Sequence, residues 1–244
     1  MNIYDKRRMS EILQGNDYQG RGIVIGTTPD GLKAAIAYFI MGRSENSRNR
    51  IFKEKGDDVI IYPFDESKVG DPSLIIYAPV RTVGNKLIVT NGDQTDTIRD
   101  YVNEGRSFKA ALETRFFEPD GPNWTPRISG MLTFGTNVET KGDFTYEMSI
   151  LKSVDAIGSD CVRYTWSYPS THGLGHFIHT YEMNGDPLPT FQGEPRRVAI
   201  PDDPEELLEE IWNTLNEDNK ISIYVRYTDL LTGEYESFLI NKNC

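Results

Sequence analysis

Three polar runs in this chain carry the residue types that anion binding and acid–base chemistry need. Gly42-Arg43-Ser44-Glu45-Asn46-Ser47-Arg48-Asn49-Arg50 follows an apolar stretch and packs three guanidinium groups among Ser and Asn donors. Guanidinium is a planar fork that matches phosphate or carboxylate, with amides and hydroxyls to fill the remaining acceptor sites. A solvated turn is the plainer reading of the same run. Asn91-Gly92-Asp93-Gln94-Thr95-Asp96-Thr97-Ile98 lies between an apolar run and a helical pattern. Amide N–H groups at a helix start, with Asn, Gln and Thr side chains, can hold an oxyanion or a polar heterocycle, although capping alone explains Thr95 and Asp96. The third run, Phe117 to Ile128, sets Glu118 and Arg127 on either side of a Pro-rich turn.

The three histidines, His172, His176 and His179, invite a metal reading. On the strand that FIHTYE suggests, His176 and His179 point to opposite faces, so the spacing does not converge ligands, and no bound metal is expected. Walker A, GxGxxG, CxxC, HExxH and GxSxG patterns are all missing from the sequence, which removes the enzyme classes those motifs serve.

Most elements that must position these runs read as strands. GIVIG (22–26), KAAIAYFIM (33–41), DDVIIYPF (57–64), SLIIYAPV (73–80) and KLIVTNG (86–92) are rich in β-branched and aromatic residues. Several are apolar at consecutive positions, which suits strands covered on both faces. Hairpin loops are expected at Thr27 to Gly31 and at Gly84-Asn85. A helix capped by Thr95 or Asp96 should run to Gly105, and a second, capped by Ser107, should carry Phe108, Ala111, Leu112 and Phe116. Strands are then expected at 127–133, 145–153, 161–168 and 177–182, and at 221–227 and 235–240 around Leu231-Thr232-Gly233. Strand blocks separated by paired helices predict a layered α+β domain, one unit over residues 1–244 with an N-terminal extension at 1–17.

Charge narrows the partners. The 37 acids and 26 basic residues of the 244-residue chain leave a net charge of −11, which repels phosphate polymers, so no nucleic-acid polymer is expected as partner. Eight of those acids lie between Asp202 and Asp218, interleaved with Leu207, Leu208, Ile211, Trp212 and Leu215 at helical spacing. That pattern reads as the wet face of a packed helix or as a partner surface. No apolar run long enough to span a bilayer occurs, nor a signal-peptide core near Met1. No membrane association and a cytoplasmic location are therefore expected, where Cys161 and Cys244 would stay thiols. A homo-oligomer is left open.

The order of motifs resembles the archaeal-type IMP cyclohydrolase family: YxGR (Tyr18 to Arg21), an Arg loop ending in Asn49-Arg50, IxYxxxR (Ile75, Tyr77, Arg81), NGxxTDTI (Asn91 to Ile98), then Glu118 and TPRI (Thr125 to Ile128). Thr180-Tyr181-Glu182 adds to it. The chain departs in its N-terminal segment, a longer Arg loop, and Ala78-Pro79 after the tyrosine.

The resemblance implies a four-layer αββα sandwich of the N-terminal-nucleophile-hydrolase type, used without autocatalytic processing. It implies closure of 5-formamidoimidazole-4-carboxamide ribonucleotide to IMP with loss of water, with a purine nucleotide as small-molecule partner and no cofactor. By motif match the catalytic residues fall on Arg50, Tyr77 and Glu118. Asn91, Thr95, Asp96 and Arg127 become candidates for base and ribose contacts, and Arg21, Arg43, Arg48 and Arg81 for the 5′-phosphate. A related amide or formamide hydrolase acting on another phosphorylated ligand, and a non-catalytic purine-nucleotide-binding protein, are the alternatives.

Overall fold

The computed structural model describes residues 2–68, 76–137 and 139–243. In chain order the elements are α1 (Met9–Leu13), β1 (Arg21–Thr27), β2 (Lys33–Met41), α2 (Glu45–Arg48), β3 (Ile51–Lys55), β4 (Asp58–Tyr62), β5 (Val80–Val83), β6 (Lys86–Thr90), α3 (Gln94–Asn103) and α4 (Phe108–Leu112). They continue with β7 (Arg127–Phe134), β8 (Phe144–Ser153), β9 (Cys161–Pro169), β10 (Leu174–His179), β11 (Arg196–Ala199), α5 (Pro204–Thr214), β12 (Lys220–Asp229) and β13 (Tyr235–Asn241). Among the described residues no helix is long and apolar enough to cross a membrane.

The architecture is α+β with two antiparallel sheets. One has six strands in the order β11-β10-β1-β2-β12-β13, the other seven in the order β3-β4-β5-β6-β7-β8-β9. Strand alternation sends Ile23 and Ile25 of β1, and Ile36, Tyr38 and Ile40 of β2, into the space between the sheets, where they meet Phe52, Val59, Leu87, Val89 and Ile128. The alternate residues Val24, Ala37, Phe39 and Met41 face outward onto Met9 and Leu13 of α1 and Leu207, Leu208 and Ile211 of α5. On the far side of the seven-stranded sheet, Ile88, Met131 and Leu151 pack against Ile98, Phe108 and Leu112 of α3 and α4. β2 is thus covered on both faces, which is why it reads as a nearly unbroken apolar run.

The differences from the sequence reading have local causes. Of SLIIYAPV, residues 73–75 lie outside the described residues, and strand β5 begins only at Val80. Pro79 has no N–H to give a ladder, though its carbonyl accepts from Thr90 N–H at 2.8 Å. Tyr77 therefore sits in an irregular segment instead of a strand, its carbonyl held by Ile61 N–H at 2.9 Å. β3 reads Ile-Phe-Lys-Glu-Lys, an edge strand too charged to announce itself, and β11 has only four residues. α3 starts at Gln94, with Asp93 at its N-cap position but without a capping bond, because the Asp93 carboxylate is drawn to Arg115 and Arg127 at 2.5 and 2.7 Å. Ser107 does cap α4, accepting from Ala110 N–H at 3.1 Å, but that helix ends before Phe116. β10 begins three residues earlier than expected and ends at His179. The extension at 1–17 is tied down: Met9 and Leu13 are fully buried, and Arg8 and Ser10 both bond the Glu210 carboxylate of α5.

His176 and His179 take opposite faces of β10. His176 Nδ1 meets Tyr146 Oη at 2.6 Å between the sheets, its ring stacked 3.7 Å from that of Tyr168. His179 Nδ1 donates to the Tyr181 carbonyl at 2.8 Å beside Phe177 and Phe191. Burial, with Arg197 adding its charge, pushes His176 down to about 4. Burial likewise pushes His179 down to about 3, against the bond to Tyr181 and with help from Arg196. Both rings fold in their neutral form, whereas in the unfolded chain they take up protons near pH 6.5. Stability is therefore fully present above about pH 7 and falls as pH drops from about 6.5 towards 4, each tenfold loss of proton affinity being worth about 1.4 kcal/mol. The thermal midpoint measured by calorimetry should fall between pH 7 and pH 5; an unchanged midpoint over that interval would contradict the neutral burial of these rings.

Candidate active site

At the edge of the inter-sheet core, elements of both sheets bring two arginines, four tyrosines and one glutamate together. Arg21 opens β1. The preceding Gly20 has a φ of 76°, and a Cβ there would overlap Thr180 Oγ1 and the Tyr181 ring, so only glycine lets the chain turn into the strand at this point. Arg21 N–H donates to Thr180 Oγ1 at 3.1 Å, while its buried Nε has no hydrogen-bond partner among the described residues.

Arg50 enters from the other sheet, immediately before β3. The Arg loop folds as the one-turn helix α2, capped by Ser44, whose Oγ accepts from Ser47 N–H at 3.1 Å. Asn49 then clamps the loop to the chain after β4, donating to the Asp65 carbonyl at 2.8 Å and accepting from Asp65 N–H at 2.7 Å. Arg50 is left 8% exposed, its Nε also without a hydrogen-bond partner among the described residues. Burial, followed by the like charge of Arg21, lowers the Arg50 pKa, with Tyr77 and Glu118 acting against them. For Arg21 burial again pulls the pKa down, but Glu118 and then Tyr77, Tyr18 and Tyr181 outweigh it and raise the pKa. Each guanidinium thus feels the same carboxylate and the same tyrosine.

Tyr77 Oη lies 3.2 Å from Tyr38 Oη of β2. Glu118 sits in the loop before β7, where its N–H donates to the Thr125 carbonyl at 2.8 Å. The Thr125 hydroxyl bonds the Asp120 carboxylate, and it lies 2.5 Å from Tyr181 Oη, joining this loop to the end of β10. Tyr181 stacks on Tyr18 with ring centroids 5.9 Å apart, and the Arg43 guanidinium lies over the other ring, 5.2 Å from the Tyr18 centroid. Within the loop, Phe117 is buried and packs edge-on against Trp124 at 5.8 Å. Chemically, the cluster offers two cationic donors for a developing oxyanion, a hydroxyl proton and a carboxylate base, mostly removed from water.

Of the residues singled out in the sequence, Arg21, Arg50, Tyr77 and Glu118 converge. Arg43 is exposed at the rim and donates to Asn184 Oδ1 and the Gly185 carbonyl, both at 2.8 Å. Arg48 bonds the Gly42 carbonyl at 3.0 Å and borders a separate hollow of about 520 Å³ with Lys220 and Lys242. Arg81 is engaged by Asp58 at 2.7 Å and Asp96 at 2.5 Å. Asn91 donates to the Pro126 carbonyl at 2.9 Å and accepts from Ile128 N–H at 2.9 Å and Gln94 Nε2 at 3.0 Å. Thr95 Oγ1 meets Thr90 Oγ1 at 2.5 Å, and Arg127 binds Gln94 Oε1 at 2.7 Å and the Phe116 carbonyl at 2.8 Å. The NGDQTDTI run therefore staples β6 and α3 to the chain entering β7, at the end of the loop that carries Glu118. Among the described residues no group of three or more His, Cys, Asp or Glu side chains is placed to hold a metal ion.

Tyr38, Thr125 and Tyr181 join the site without having been singled out as site residues. Thr125 and Tyr181 fell within matched motifs; Tyr38 gave no signal, because an aromatic residue in KAAIAYFIM reads as core.

Asn91 is 1% exposed, and its truncation deprives the Ile128 N–H and the Pro126 carbonyl of their buried partner and takes one of three partners from the Gln94 amide. Asn91→Ala should cost about 3 kcal/mol of stability, read as a lower urea midpoint with unchanged slope; a midpoint equal to wild type would remove the staple from the structure's supports.

The Arg pair, the Tyr and the Glu occur at these positions in a chain that has relatives among known proteins. The family described as IMP cyclohydrolase-like protein matches residues 18–234. A protein named IMP cyclohydrolase from Methanococcus aeolicus is 33% identical over 169 residues, covering 68% of this chain and 74% of that protein. The protein of the same name from Methanosphaera stadtmanae is 32% identical over 176 residues, 68% of this chain and 75% of its own length. That from Methanococcus maripaludis strain C7 is 36% identical over a shorter stretch of 121 residues, 48% of this chain and 58% of its own length. The family match starts at Tyr18, leaves out the helix-bearing first segment, and spans every residue of the cluster, so the chain belongs to the IMP cyclohydrolase-like protein family.

Proposed function

We propose that this protein is an IMP cyclohydrolase, closing 5-formamidoimidazole-4-carboxamide ribonucleotide to IMP with release of water, on a four-layer αββα frame of the N-terminal-nucleophile-hydrolase type. The observation that carries the reading is the convergence of Arg21, Arg50, Tyr77 and Glu118 within the sandwich of a chain from this family. In the reaction the carboxamide nitrogen attacks the formyl carbon of the same molecule, forming a tetrahedral carbinolamine. One N–H proton is then lost, the C–O bond breaks, and the oxygen leaves as water once it has gained a proton. Both reacting groups belong to one substrate, so the protein's tasks are to hold the reactive rotamer, stabilise the oxygen as charge builds on it, and move protons.

Each task has a candidate side chain. Arg50, nearly buried and with an Nε that has no partner among the described residues, faces the developing oxyanion, and Arg21 adds a second positive charge beside it. Tyr77 donates the proton that turns the departing oxygen into water. Glu118 takes the proton from the carboxamide nitrogen. Arg43, at the rim above Tyr18, is our candidate for the 5′-phosphate, and the Tyr18–Tyr181 pair offers ring faces to a planar imidazole. Asn91, Thr95, Asp96 and Arg127 act in this reading through the loop they hold.

The purified protein should convert the formylated ribonucleotide to IMP without added metal or nucleotide, followed by the absorbance change as the imidazole becomes a purine. Tyr77→Phe should lower kcat by about 100-fold or more while the protein stays folded; full activity in that variant would remove the tyrosine from the chemistry. Arg43→Gln should raise KM about tenfold with kcat within about twofold, the pattern of a contact equally strong in ground and transition states, and an unchanged KM would move the phosphate elsewhere.

A further inference from the structure

Tyr38 is fully buried, and among the described residues its hydroxyl has one hydrogen-bond partner, Tyr77 Oη at 3.2 Å. Two hydroxyls that share one bond hold one proton between them and must aim the other elsewhere. If Tyr77 donated, the Tyr38 proton would be left buried and unbonded, which is costly. If Tyr38 donates, the spare proton is that of Tyr77, which is 9% exposed and lies where Arg21, Arg50 and Glu118 act together. The surroundings fix the asymmetry. Tyr38 stands mid-strand in β2 between Ile23 and Tyr224 of the flanking strands, its ring stacked on Phe52 with centroids 5.6 Å apart and planes 14° apart. Tyr77 lies in the irregular segment before β5.

We propose that Tyr38 is a positioning residue that sets the direction of the Tyr77 hydroxyl, donating its own proton to Tyr77 Oη so that Tyr77 presents its proton to the departing oxygen. The inference rests on the reading of Tyr77 as the proton donor. In the step, the Tyr77 O–H bond breaks, the carbon–oxygen bond of the carbinolamine breaks, and water leaves with the proton. The Tyr77 phenolate stays bonded to the Tyr38 proton and flanked by both guanidinium groups, and the proton that Glu118 took from nitrogen restores it. Burial, and next the adjoining Tyr77 oxygen, hold the Tyr38 pKa well above the ordinary phenol range, so Tyr38 remains a donor throughout. A core tyrosine on one sheet thereby aims a proton carried by the other.

The test is a double-mutant cycle with Tyr38→Phe and Tyr77→Phe, each checked for native circular dichroism. Tyr38→Phe alone should lower kcat about tenfold, the loss expected for about 1.4 kcal/mol of transition-state stabilisation, with KM within about twofold. In the Tyr77→Phe background the same change should alter the residual rate by less than about twofold, because a residue that acts through Tyr77 has nothing left to aim. An undiminished kcat in Tyr38→Phe, or an equal loss in both backgrounds, would overturn the inference. Tyrosine labelled with carbon-13 at Cζ gives a readout that needs no turnover. The Tyr77 resonance, assigned by its disappearance in Tyr77→Phe, should move in Tyr38→Phe, and an unmoved resonance would also overturn the inference. A wild-type protein inactive on the formylated ribonucleotide would instead count against the proposed function, with the resonance still deciding the hydroxyl pair.

Discussion

Two like charges in a partly dry interior are the constraint around which this site is arranged. The charge of Arg21 lowers the Arg50 pKa, and one carboxylate, Glu118, acts on both guanidinium groups in the opposite direction. Buried charge is tolerated only when its surroundings supply opposite charge or dipoles. The loop carrying Glu118 is accordingly fastened twice, through Thr125 to Tyr181 on one side and through Asn91 and Arg127 to α3 on the other. Two guanidinium groups against one carboxylate still leave an excess of positive charge inside an acidic protein. That local excess favours anionic ligands, which suits the phosphorylated substrate proposed for this site.

The acidity that dominates the composition has little to do with this. Much of the excess falls on and around α5, whose apolar face lies on the six-stranded sheet and whose Glu206 and Glu210 meet Arg8 of the first segment. The acidic helix thus fastens the N-terminal segment as well as presenting a wet face. Net charge describes the outside of the molecule, whereas the cluster of Arg21, Arg50 and Glu118 has the opposite local sign.

How much of this could be read from the sequence depended on whether a residue's role was local. β2 was legible to its end residues, Lys33 and Met41, because the apolar run and its flanking turns are set within the strand itself. β3 and β11 were not, since a short edge strand with charged residues is defined by its neighbour instead of its own pattern. The grouping of Arg50, Tyr77 and Glu118 was legible only through the ordered motifs of a family, because spacing alone cannot say that positions 50, 77 and 118 meet. The NGDQTDTI run looked like a ligand cradle for its density of polar side chains. In the folded protein many of those side chains find partners within the chain, Asn91 reaching to Pro126 and Ile128. Tyr38 was invisible for the converse reason: nothing local distinguishes a core tyrosine from one whose hydroxyl touches the site.

Arg21 and Tyr38 ride on the six-stranded sheet, while Arg50, Tyr77 and Glu118 belong to the seven-stranded one or its approaches. The separations within the candidate site are therefore gaps across the sandwich, set by how Ile23, Ile36, Leu87 and Val89 interlock between the layers. Close-packed interiors resist sliding because every side chain would have to leave its socket at once. The apolar filling works as a spacer gauge: a methylene added or removed far from the candidate site would shift one sheet against the other and change the spacing of its side chains without touching any of them.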